Sequence, residues 1–194
     1  IARDSGTTFL NWGLFQGHFP ENINLDMDTT HPSLNVMTFS GVKSVSCGAL
    51  RQKYSKNAKR FMKCLYVLGL TGFTSGRHYW EVEVKNKTEW FLGVINESAN
   101  RNGDLTQTPE DGVWQIKFSS GTLISVDHEE ELAFSPYRVG IFLDYEDGLI
   151  SFYSADDMTS LFQYYTVFTE KLYPLFCPGN NNSGKNSEPL RLHP

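Results

Sequence analysis

The strongest constraint on the fold lies in residues 75–95, SGRHYWEVEVKNKTEWFLGVI. His78, Trp80, Val82 and Val84 fall on one side of a period-two pattern, with Tyr79, Glu81, Glu83 and Lys85 on the other. Such alternation describes a half-buried strand with one apolar and one wet face. Lys85-Asn86-Lys87 interrupts it with turn-prone, charged residues. Trp90-Phe91-Leu92-Gly93-Val94-Ile95 then reads as a strand buried on both sides, packed between two layers. The two runs are expected to pair as a hairpin at the centre of an all-β core.

The rest of the chain repeats this grammar. Strands are expected at Leu34–Phe39 and Val42–Cys47, turned by Ser40-Gly41, and again at Tyr66–Gly69. Gly112–Phe118 and Thr122–Val126 follow, joined through Ser119-Ser120-Gly121. Tyr137–Tyr145 and Leu149–Tyr153 flank Glu146-Asp147-Gly148, a strong local hairpin signal. Leu161–Val167, Leu172–Cys177 and a short run at Leu190 and Leu192 complete the set. Arg51–Lys63, Asn96–Asp111, the acidic Asp127–Glu131 and Asn180–Gly184 read as exposed loops. Residues 1–20 match neither strand nor long helix, because Gly6, Gly13, Gly17 and Pro20 interrupt their aromatic spacing. They are expected to be a linker or docking segment. Strands every 8–12 residues between Gly, Asn, Asp and Pro turns define one antiparallel β-sandwich.

Several function classes fall away. The net charge of −5 argues against nucleic-acid binding, and no stretch has the ~18 apolar residues of a membrane span. Cys47, Cys64 and Cys177 are odd in number and widely spaced, so free thiols are expected in place of a disulfide framework or zinc site. Three Asn-x-Ser/Thr sequons, at Asn86, Asn96 and Asn181, are read as unmodified. There is no Gly-rich phosphate loop, no His-x-x-x-His pair and no Gly-x-Ser-x-Gly elbow. His78 is expected to be packed or hydrogen-bonded, not a general base. No cofactor, metal or catalytic residue is assigned. What remains is recognition by loops on a rigid scaffold: 56–63, 96–111, 117–121 and 180–185.

Three motifs, Leu25-Asp26-Met27, Trp80-Glu81-Val82-Glu83 and Leu143-Asp144-Tyr145-Glu146, occur in the order and at about the spacing of the PRY-SPRY domain. Val67-Leu68-Gly69, Leu92-Gly93-Val94, Val139-Gly140-Ile141-Phe142, Ser151-Phe152-Tyr153, Pro174-Leu175-Phe176 and Pro178-Gly179 add to the match. Over residues 21–194 the chain resembles that family, nearest its tripartite-motif and ret finger protein-like branch, with butyrophilin tails similar. The resemblance implies a bent sandwich of two antiparallel sheets, PRY over about 21–74 and SPRY over about 75–194. It implies a non-catalytic module that binds a protein ligand, without nucleic-acid or direct membrane contact, in the cytoplasm and/or nucleus. Such modules select substrates for RING-type ubiquitin ligases, whose activity would reside in a RING absent from this chain. Oligomerisation would come only through an upstream coiled coil. An alternative is a butyrophilin-type domain sensing a small phosphorylated ligand. By position, the family's binding surface maps onto Glu97, Trp114, Lys117, Ser119, Asn180, Asn181 and Asn182. Trp114 matches a strand tryptophan of the core. Lys117 and Ser119 stand where some members carry aromatics, which points to a more polar partner. Met27 replaces the usual proline of the opening motif.

Overall fold

A computed structural model describes residues 19–194; the expected linker or docking segment, residues 1–20, lies almost wholly outside them. Fourteen strands follow: β1 (Leu25–Asp26), β2 (Leu34–Phe39), β3 (Val42–Cys47), β4 (Val67–Gly69), β5 (Arg77–Glu83), β6 (Glu89–Asn96) and β7 (Val113–Ser119). After these come β8 (Thr122–Ser125), β9 (His128–Glu131), β10 (Arg138–Asp144), β11 (Leu149–Ser154), β12 (Thr159–Tyr165), β13 (Leu172–Cys177) and β14 (Leu190–Leu192). A single 3₁₀ turn, Pro109–Asp111, is the one helical element among the described residues. The strands form two seven-stranded antiparallel sheets, ordered β1-β4-β13-β6-β7-β8-β9 and β12-β11-β10-β5-β14-β3-β2.

The inner faces meet in one core. Trp80, Val82, Ile141 and Phe152 come from the second sheet and Trp90, Leu92, Trp114 and Phe118 from the first, none more than 5% exposed. Burying an aromatic side chain of this size contributes on the order of 3 kcal/mol. Two short hairpins form where the sequence placed them. Ser40-Gly41 (φ 48° and 82°) and Ser120-Gly121 (φ 49° and 92°) take the doubly left-handed conformation that matches strand twist.

The central pair departs from expectation. β5 and β6 lie in opposite sheets: β5 pairs with β10 and β14, β6 with β13 and β7. Lys85–Thr88 is therefore a crossover between layers, turning through Asn86 (φ 60°) and the Lys87 N–H bond to the Val84 carbonyl. Both strands carry an apolar inward face, so stacking across the core buries Trp80 and Trp90 together, which side-by-side pairing would not. Turn residues specify a reversal of direction; they do not specify the sheet the chain enters.

Two segments expected to be exposed loops also differ from that expectation. His128–Glu131 is an edge strand paired to β8, and its glutamates guard the open edge against further pairing. Within 51–63, Arg60 and Phe61 are buried at 3% and 0% exposure. Arg60 donates to the carbonyls of Ser55, Met27 and Thr30 and lies over the Tyr54 ring at 5.0 Å, fastening the loop from inside. His78 is packed as expected. Its ring stacks on Phe73 at 3.7 Å, and its nitrogens meet Glu21 Oε1 at 2.8 Å and the Ser75 carbonyl at 2.7 Å.

Candidate functional site

Strand alternation builds the site. Because Trp90 and Phe118 face inward, Glu89, Phe91, Lys117 and Ser119 must face outward. The β6–β7 register sets Phe91 opposite Lys117 and Glu89 opposite Ser119, and Cys177 of β13 lies opposite Phe91 on the other side. Lys117 Nζ rests 5.2 Å from the centre of the Phe91 ring, a cation–π contact.

Two loops cover the far part of this outer face. Phe61, Leu68, Ile95, Ala99, Val113 and Leu175 form a second, smaller apolar cluster beneath them. Arg101 ties the loops together, donating to the Lys59 carbonyl at 2.9 Å and lying over Phe61 at 4.8 Å. At the Glu89 end of β6 the cover stops, leaving an open cavity of about 400 Å³. Its apolar lining is Leu65, Tyr66, Phe91, Leu105 and Cys177; its polar lining is Lys63, Glu89, Asp104, Gln107 and Asn180. Lys63 pairs with Asp104 at 2.6 Å, and Gln107 Nε2 donates to Cys64 Sγ at 3.3 Å. The Tyr66 hydroxyl donates to Gln115 Oε1 at 2.9 Å, and burial holds its pKa far above the ordinary phenol value. Burial likewise pushes the Cys177 thiol up to about 12, so it stays protonated. Neither of these two groups is an activated nucleophile. Among the described residues, no three His, Cys, Asp or Glu side chains gather as a metal would require.

The wall formed by Gly179 and Asn180 is set by a residue the sequence did not single out. Asn186, 2% exposed, accepts at Oδ1 from Lys87 Nζ (3.2 Å), Thr88 N (2.9 Å) and Glu89 N (3.2 Å). Its Nδ2 donates to the carbonyls of Glu89, Pro178 and Asn180, each at 3.0 Å. Gly179 has φ 72°, and a Cβ there would sit 2.9 Å from both Asn186 Nδ2 and the Glu89 carbonyl, so only glycine suits the turn.

The structure sorts the seven expected site residues. Asn180 lines the cavity, with Lys117 and Ser119 beside its Phe91 and Glu89. Asn182 is exposed on the same loop, whereas Asn181 turns to the second sheet, donating to the Cys47 carbonyl at 3.1 Å. Glu97 follows the opposite end of β6, accepting from the Tyr173 hydroxyl at 3.1 Å. Trp114 is 5% exposed and packs edge-on to Phe168 at 5.3 Å, so as a core residue it leaves the binding set. Phe91, Tyr66, Cys64 and Leu105 were missed. Phe91 was hidden because its run reads as buried on both faces; that holds under the loops at Ile95 but not at Phe91.

Two antiparallel sheets bearing a loop-walled cavity on one outer face define a β-sandwich with a loop-built outer site. The SPRY domain profile matches residues 77–191 and the SPRY-associated PRY profile residues 23–73, and the chain belongs to the PRY-SPRY family. It is 44% identical over 172 residues to "Nuclear factor 7, brain" of Xenopus laevis, covering 87% of this chain and 28% of that protein. It is 42% identical over 179 residues to "E3 ubiquitin-protein ligase TRIM69" of Mus musculus, covering 90% and 35%. To the "Erythroid membrane-associated protein" of Mus musculus it is 40% identical over 183 residues, covering 92% and 32%. The chain thus spans about a third of the length of these relatives. Among solved structures, the TRIM65 PSpry domain superposes with a TM-score of 0.72 at 20% identity, covering 94% of this chain and 93% of that one, a likeness of fold. Stonustoxin gives 0.67 at 25% identity, over 88% and 28%.

Proposed function

We propose that this domain is a non-catalytic protein-binding module whose partner seats a side chain in the cavity around Phe91. The observation that carries this reading is the cavity's construction. An apolar lining that includes the aromatic rings of Phe91 and Tyr66 is ringed by polar groups from three separate loops. That is the composition of a side-chain receptor. The similarity to tripartite-motif relatives supports a finer reading, substrate selection for a RING-type ubiquitin ligase in the cytoplasm or nucleus. The ligase chemistry would belong to a RING outside residues 1–194.

The phosphorylated-ligand alternative is the weaker of the two. Lys63 is the cavity's one basic lining residue, and it is already paired with Asp104, while Glu89 adds a second carboxylate. A phosphate there would meet repulsion and no guanidinium clamp.

Affinity capture tests the reading. The domain and a Phe91→Ala/Lys117→Ala/Asn180→Ala variant, first shown to melt alike, serve as baits from cell lysate read by mass spectrometry. Partners enriched by the first and lost with the second are expected. Identical captures would move binding elsewhere, and calorimetric binding of pyrophosphate would restore the alternative.

A further inference from the structure

Charge is distributed unevenly along the chain. Residues 29–80 contain eight of the 17 Lys and Arg and none of the 22 Asp and Glu. Within that span Arg51, Lys53, Lys56 and Lys59 are exposed, and no carboxylate of the described residues pairs with any of them. The loop that carries them is fixed. Gln52 N donates to the Pro32 carbonyl at 2.7 Å, and the Tyr54 hydroxyl to the Leu34 carbonyl at 3.0 Å. Asn57 Nδ2 donates to the Asp28 carbonyl at 3.1 Å, and Arg60 closes the loop from beneath. The lysines therefore project from a backbone ordered before any partner arrives, which lowers the entropic cost of binding.

This basic run leads into the cavity. Four residues after Lys59 the chain reaches Lys63, and Lys63, Cys64, Leu65 and Tyr66 are cavity lining. The cavity itself has the opposite character, with Glu89 and Asp104 among its polar residues. An acidic residue is thus unwelcome in the cavity and welcome along 51–59.

We propose that the partner is an acidic, extended polypeptide segment whose apolar anchor enters the cavity while its carboxylates, several residues away from the anchor, lie along Arg51, Lys53, Lys56 and Lys59. The proposal rests on the protein-binding reading above and adds the partner's chemistry to it. A polypeptide fits better than a nucleic acid, because the rail is short, the rest of the chain is strongly acidic, and no exposed aromatic lies within 51–59 for a base to stack on.

The probes are fluorescein-labelled 14-residue peptides: a Glu/Asp block and one Leu separated by a Ser-Gly spacer, in both block orders. Counterparts replace the block by Lys or the Leu by Ser. Anisotropy against the domain is expected to show binding by an acidic, Leu-containing peptide that weakens steeply with salt. Losses of about tenfold or more are expected on removing the Leu, and on Lys53→Glu/Lys56→Glu/Lys59→Glu substitution in the domain. Phe91→Ala should abolish the Leu preference while keeping the salt dependence.

Equal binding of acidic and Lys peptides, or indifference to the triple reversal, overturns the proposal. So does equally tight binding of a single-stranded oligonucleotide of the same charge. Salt-sensitive self-association lost on Glu129→Lys/Glu130→Lys/Glu131→Lys substitution also overturns it, assigning the rail to a second copy. The two readings fail separately: lysate partners lost with Phe91→Ala but retained by the triple reversal would leave the cavity reading standing and remove the acidic partner.

Discussion

The two faces of β6 and β7 are made by the same strands and held by different physics. Inward, Trp90 stacks on Phe118 at 5.4 Å and Trp114 meets Phe168 at 5.3 Å, in a core held mainly by packed shape. Outward, Glu89, Phe91, Lys117 and Ser119 are held by what other parts of the chain bring to them: Asn186 at the Glu89 backbone, Asn180 at the Glu89 carboxylate, Cys177 beside Phe91. The inner face is perturbed chiefly by changing volume. The outer face can be perturbed by one hydrogen bond made far away in sequence.

Trp90→Ala tests the inner half of that contrast and carries the largest expected effect. It removes a side chain 1% exposed and leaves a cavity, so a loss of about 3–5 kcal/mol is expected in denaturant unfolding. A loss below ~1 kcal/mol would mean that the core collapses around the gap and is less rigidly packed than its ring stacking indicates.

Asn186→Ala comes next. It leaves Thr88 N, Glu89 N and Lys87 Nζ without the oxygen they share, and strips three carbonyls of a donor. At ~1–3 kcal/mol for each buried polar group that water cannot reach, a net loss of about 2–4 kcal/mol is expected. Amide exchange supplies the sharper readout: faster exchange at Glu89 and 179–184, with β10 and β11 unchanged. Uniform acceleration would make Asn186 an ordinary stability residue and erase the distinction between the faces.

Lys87 gives the same hub a pH signature. Burial lowers its pKa from 10.5 to about 8, against the smaller opposing pull of the carboxylates of Glu188 and Glu89. The folded protein therefore releases this proton near pH 8 and the unfolded chain near 10.5. Between those values the unfolded chain holds more protons, so stability rises with pH; the penalty for burying the charged amine is complete below 8 and gone above 10.5. Relative to Lys87→Met, the wild-type protein should gain about 2 kcal/mol across that window, allowing for partial screening. A difference that stays flat with pH would show that the amine is solvated and not part of a buried hub.

These contrasts also show what the sequence could and could not reveal. Alternation in Tyr79–Val84 and the glycines of Ser40-Gly41 and Ser120-Gly121 act locally, and the strands and hairpins they imply are present. The β5–β6 crossover was illegible, because sheet membership depends on β10, β13 and β14, from 55 to more than 100 residues downstream. Lys117, Ser119 and Asn180, which lie in or beside the cavity, were singled out by resemblance. Phe91 was not, since an aromatic in an apolar strand announces burial and not a partly open face. Asn186 reads as one more loop asparagine until the fold places it between Glu89 and Pro178.

The smallest expected effect tests the outer face most directly. Lys117 carries its charge over the Phe91 ring with no carboxylate of the described residues pairing with it. Lys117→Met keeps the stem and removes the charge. An exposed cation–π contact is worth about 0.5–1 kcal/mol, so stability should fall by that amount or less. Binding of the Leu-containing acidic peptide should weaken by only about two- to threefold, with a shallower salt dependence, because one positive charge beside the cavity is lost while its apolar lining remains. Phe91→Ala should do the reverse, erasing the Leu preference and leaving the salt dependence alone. Anisotropy of both variants over a salt series separates the roles. If both lose the same quantity, ring and amine act as one unit, and the outer face is governed, like the inner one, by a single packed shape.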